Sequence, residues 1–109
     1  LALDFRPSRA RAFPPLLARA QAAFGPWLDR LRVGDQLWYR LALWPSPALR
    51  RHLAAHGQDL LWLHAHLGKL RGARLWLHGW CLPAAGPWSL PTQVHLVHAW
   101  LDHLLAPRQ

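Results

Sequence analysis

One seam constrains this chain more than any other feature. Leu49, Leu53, His56, Leu60, Leu63, Leu67 and Leu70 follow one another at alternating steps of four and three, the spacing that lines one face of an α-helix. Ser46 stands where an N-cap side chain accepts a backbone N–H, and Pro47 takes the first helical position, where its missing N–H costs nothing. Gly57 weakens the middle of the helix and Gly72 ends it. The apolar stripe needs a surface to cover, and the segments on either side supply one.

Those segments change period. Leu1, Leu3 and Phe5 share one face of a short strand. Residues 36 to 44 place Leu37, Tyr39, Leu41 and Leu43 on one side, and Pro45 and Pro47 stop the run. Residues 73 to 82 set Leu75, Leu77 and Cys81 opposite Trp76, Trp80 and Leu82. Each reads as a strand buried on both faces, as strands of parallel sheets are. Pro14 and Pro15 open a first helix with a stripe of Leu17, Ala20, Phe24, Trp27 and Leu31, kinked or split at Gly25-Pro26. A last helix runs to about Leu105, with Trp100, Leu101 and Leu104 on its buried side. The order βαβαβα predicts an α/β fold with parallel strands joined by right-handed crossovers. No Gly-rich phosphate loop follows any of the strands.

With 109 residues, 52% of them apolar, the chain is one domain at most. No apolar run approaches the roughly 18 residues of a membrane span. Cys81 is the only cysteine, which excludes an internal disulfide; it reads as a small buried hydrophobe and fits a reducing, cytoplasmic setting. The absence of Met, with Leu1 first, predicts a domain that continues upstream. Twelve Arg and one Lys face five Asp and no Glu, a net charge of +8 that attracts anions without choosing among them.

In parallel α/β folds the working residues sit at strand carboxyl ends. Here those positions hold Asp4, Arg40 to Trp44, and His78 with Gly79. One carboxylate cannot hold the metal pair of a hydrolase. His52 and His56, and likewise His95, His98 and Asp102, have spacings that could chelate zinc. The stronger reading leaves His56 in the leucine seam and the others on a solvated face. Ser8, Ser46 and Ser89 sit beside Pro or in loops with no base nearby in sequence. Most of the eight Trp are expected in the core, with Trp44 and Trp88 exposed in Pro-flanked loops. Arg6, Arg9 and Arg11 form a basic cluster after the first strand and read as a solvated loop.

The order of segments resembles the middle of EAL domains, the (βα)₈ barrels that hydrolyse cyclic di-GMP. The resemblance rests on Leu3-Asp4-Phe5, the strand Leu37 to Leu43, Gly72-Ala73-Arg74-Leu75, and Leu90-Pro91 followed by Val94-His95-Leu96-Val97. It covers about half of a barrel. Where the family carries a metal-binding Asn, this chain has Asp4; for the two Glu it has Arg40 and Leu43; for the paired Asp it has His78 and Gly79; and His95 falls at the catalytic Lys. The resemblance therefore implies part of a TIM-type barrel without its metal, not an enzyme and needing no cofactor. It would be an inactive EAL-like module of a bacterial signalling protein, binding cyclic di-GMP or a protein partner, or forming a dimer. Asp4, Arg40, His78 and His95 are then the candidate ligand-binding positions. Two other readings stand beside it. One is a basic module for nucleic acid, marked by a groove of interleaved Arg and exposed aromatics. The other is a Trp-rich subunit that packs on a larger assembly.

Overall fold

Gly25-Pro26 ends the first helix rather than kinking it, and this decides the topology. In the computed structural model, which describes residues 1–77, 80–83 and 90–107, β1 (Ala2–Phe5) leads into α1 (Phe13–Phe24). A single 3₁₀ turn over Gly25–Trp27 then turns the chain into β2 (Leu28–Val33). The spacing of Trp27 and Leu31 looks helical, yet Leu31 is a strand residue facing Trp38 across a hairpin. Between β2 and β3 (Gln36–Ala42) only Gly34 and Asp35 intervene. Gly34 has φ +66°, the left-handed value that tight hairpin turns require and that a side chain disfavours.

α2 (Pro47–Leu67) starts as its sequence predicts: the Ser46 hydroxyl accepts the Leu49 N–H at 3.0 Å. The seam leucines from Leu49 to Leu67 are buried, and Leu70 just beyond is buried too, while His56 between them stays partly exposed. His56 leaves helical geometry (φ −118°, ψ 16°). There Gly57 lets α3 come close, since a Cβ at that position would lie 3.1 Å from Leu101 Cδ2. After α2 come β4 (Arg74–Leu77), β5 (Trp80–Pro83) and α3 (Leu90–Leu105).

The five strands form one sheet in the order β2-β3-β1-β4-β5, and every neighbouring pair is antiparallel. This corrects the expected parallel, TIM-type α/β fold and the EAL half-barrel drawn from it. β1, β3 and β4 are indeed adjacent, with Leu3 paired to both Leu41 and Leu75. The unforeseen β2 reverses the chain once, so β3 runs against β1. Each helix still joins two parallel strands, β1 to β2 through α1 and β3 to β4 through α2, with an antiparallel strand between them. That is the connectivity of two interlocked split βαβ units, called ferredoxin-like, here extended by β5 and α3. The segment read as one strand over 73 to 82 is the β4–β5 hairpin. Val94 to Val97, aligned with a barrel strand in the EAL resemblance, lies inside α3.

The core fills the space between one sheet face and the helices. Leu1, Leu3, Phe5, Leu41, Leu43, Leu75 and Leu77 meet Leu16, Ala20 and Phe24 of α1, the α2 seam, and Val97, Leu101 and Leu104 of α3. Among the described residues no helix is long and apolar enough to cross a membrane.

Candidate binding site on the open face of the sheet

Among the described residues no helix packs across the opposite face of the sheet, which α3 reaches only at one end through Trp100, and strand alternation sets what lies on it. β1 contributes Ala2 and Asp4, β3 contributes Trp38, Arg40 and Ala42, and β4 contributes Arg74 and Trp76. Asp4 pairs in register with Arg40 on one side and Arg74 on the other. This face explains why β1 is buried throughout without a second layer of helices: its own long side chains cover it.

Two clusters do the covering. In the first, Arg40 donates from Nε to Asp4 Oδ1 at 2.8 Å and from Nη2 to Oδ2 at 2.9 Å, and Trp76 Nε1 donates to Oδ2 at 2.8 Å. Asp4 is only 4% exposed, so three donors offset the cost of removing a carboxylate from water. Hydrogen bonding to Asp4 pushes the Arg40 pKa up, so the guanidinium is a fixed cation. In the second cluster, the guanidinium groups of Arg74 and Arg6 lie over the Trp38 ring at 4.8 and 5.2 Å from its centroid. Trp38 is 6% exposed beneath them, an arrangement that cation–π attraction favours. Arg6 Nη1 also donates to Gln36 Oε1 at 3.2 Å.

Hollows flank these clusters at opposite ends of β1, roughly 13 Å apart at 3.3 Å per residue. At the start of β1 a cavity of about 460 Å³ is lined by Ala2, Arg40, Ala42, Trp44, Trp76 and Trp100, together with Leu1 and Pro45. Trp44 is 73% exposed at its rim. At the other end a hollow of about 200 Å³ is lined by Arg6, Trp38, Arg74 and Cys81 among others. Arg6 also borders a further hollow with Arg71. The face is thus a basic strip with aromatic rings set into it; Asp29 of β2, exposed and opposite Arg40 in register, is an acidic group at its margin.

Of the four candidate positions, the structure brings Asp4 and Arg40 together as a bidentate pair. His95 is exposed on α3 and does not line the cavity beside them. His78, like Gly79, Trp88 and Ser89, lies outside the described residues. Among the described residues no group of three His, Cys or Asp side chains could hold a metal. His52 and His56 stack ring on ring at 4.3 Å rather than converging on one point. His56 Nδ1 instead lies 2.9 Å from Asp59 Oδ2, and Arg19 Nε donates to Asp59 Oδ1 at 2.9 Å. These two partners hold the Asp59 carboxyl below the usual range.

Three expectations need correction. Cys81 is exposed rather than buried. Among the described Trp only Trp38 and Trp100 are buried; the others use the amphipathic indole at surfaces, as Trp62 does beneath Arg19 at 4.4 Å. The histidines other than His56 are expected on a solvated face, but His64 of α2 is 1% exposed. Burial, and next the charge of His98, push its pKa down to about 4. Trp38, Arg74 and Trp76 are site residues that the parallel-strand reading does not mark out. The signal was present in the alternation of 36 to 44 and 74 to 77, where Trp and Arg occupy the positions between the leucines.

No protein-family model, curated protein or solved structure matches the chain, so nothing in these comparisons identifies an EAL domain.

Proposed function

We propose that this chain is a binding module whose open sheet face holds a single-stranded nucleic acid. The observation that carries the reading is the strip itself: Arg6, Arg74 and Arg40 interleaved with Trp38, Trp76 and Trp44 across neighbouring strands, in a chain of net charge +8. Guanidinium planes and indole rings both stack on bases, and arginines neutralise phosphates. A strip of this length on a sheet suits two or three bases. The degenerate-phosphodiesterase reading is not carried forward, because its site was defined by the register of a barrel that this chain does not form.

Anisotropy of a labelled single strand, titrated at several salt concentrations, tests the proposal. With three to four phosphates neutralised, log affinity falls against log salt with a slope of about −2 to −3. Arg6→Ala and Arg74→Ala each flatten that slope by about 0.7. Affinity that ignores salt, or a slope unchanged in both variants, contradicts the proposal. Equal binding of a duplex with the same sequence also counts against it, since a double helix cannot lay its bases on the strip.

A further inference from the structure

The cavity at the start of β1 differs from the rest of the strip. Its walls are apolar and aromatic, from Trp44, Trp76, Trp100, Ala2 and Ala42, and Arg40 carries the only charged side chain among the described residues lining it. Its volume of about 460 Å³ falls in the range of small-molecule sites, enough to admit a base turned out of a strand. Trp76 cannot offer its N–H there, because that proton is already given to Asp4. The polar chemistry facing an occupant is therefore that of Arg40.

Asp4 fixes how Arg40 can act. It occupies Nε and one proton of Nη2. Of the five N–H groups of a guanidinium, this leaves both on Nη1 and one on Nη2, and no described residue accepts from Nη1. Two of those protons lie side by side at the end of the fork. Such an edge suits an occupant with two neighbouring acceptors and disfavours one that presents a donor. Guanine shows two adjacent acceptors, O6 and N7, whereas adenine sets an amino donor beside N7 and thymine has one acceptor beside a methyl group; an unpaired cytosine also sets O2 beside N3 on its open Watson–Crick edge, but the larger purine covers more of the indole walls.

We infer that this cavity takes a single unstacked guanine, held between indoles and read at O6 and N7 by the Asp4-anchored end of Arg40. The inference rests on the single-strand reading above and adds base specificity to it. Asp4 is a positioning residue: it touches no base, and it turns a mobile cation into an oriented fork.

Competition against a labelled all-thymidine strand tests it, using unlabelled strands that differ at one central nucleotide. A central guanine should compete about tenfold better than adenine, cytosine or thymine. Arg40→Lys, which keeps the charge and loses the fork, should bring the guanine advantage below twofold. Trp44→Ala, at an exposed position that folding does not need, should weaken the guanine strand by more than the all-thymidine strand. Equal competition by all four strands, or a guanine preference that survives Arg40→Lys, overturns the inference while leaving single-strand binding intact. No binding by any strand overturns both readings.

Discussion

Three donors converge on the Asp4 carboxylate, two from Arg40 and one from Trp76, and the two sides of that cluster differ in exposure. Arg40 is 39% exposed while Asp4 is buried, so losing the aspartate strands three donors, two of them at a half-open site, whereas losing the arginine leaves a buried charge with one partner. Asp4→Ala and Arg40→Ala should each lower the unfolding free energy by about 1–3 kcal/mol. Because each removes the other's partner, the double variant should fall short of the sum by about 1 kcal/mol. Urea unfolding of the four proteins measures this; strict additivity would show that the pair is not coupled. His64 makes the second prediction at this scale. No described residue accepts from or donates to its ring nitrogens, and its folded pKa of about 4 lies below its ordinary value of 6.5. The unfolded chain takes up a proton near pH 6.5 that the folded chain refuses until about pH 4. Stability should therefore fall as pH drops through that window, by on the order of 3 kcal/mol, with no further loss from this group below it. His64→Leu should remove most of that slope. A wild-type slope unchanged in the variant would place the titrating group elsewhere.

The elements show where the sequence was legible. α2 could be read almost to its ends, because Ser46, Pro47 and the leucine seam each say the same thing by independent physics. The positions of β1, β3 and β4 were legible from period two. β2 was not, because Trp27 and Leu31 are four apart and Leu28-Asp29-Arg30-Leu31-Arg32-Val33 has too few apolar residues to announce an edge strand. Gly34-Asp35 was the available signal, a two-residue hairpin turn between strand-like runs. Gly34→Val should test how much that turn contributes. A Cβ at this position meets no neighbour within 4 Å, so the effect comes chiefly from holding φ at +66°, which should cost roughly 1–2 kcal/mol. Thermal unfolding measures it; an unchanged midpoint would mean that β2 and β3 pair without the left-handed turn.

At the scale of the molecule, one missed strand inverted the fold. Of the two crossovers anticipated from the sequence, the one through α2 joins the expected strands over an intervening antiparallel one, whereas α1 leads to β2 and not to β3, and among the described residues no helix packs across one face of the sheet. The same omission hid the site: strands read as buried on both faces leave no open face on which to look for one. Asp4 and Arg40 were legible as neighbours, but Trp38, Arg74 and Trp76 became visible only when the helices were seen to occupy a single side. The central claim is that this open face, and not the histidine-rich helical side, meets the ligand. The indole N–H signals of the Trp residues report on it directly, since Trp44 and Trp76 line the open-face cavity while Trp27 packs on His52 and Trp62 on His66. In a nitrogen–proton correlation spectrum titrated with a short single-stranded oligonucleotide, the signals of Trp44 and Trp76 should shift and those of Trp27 and Trp62 should stay in place. Shifts confined to Trp27 and Trp62 would contradict the account.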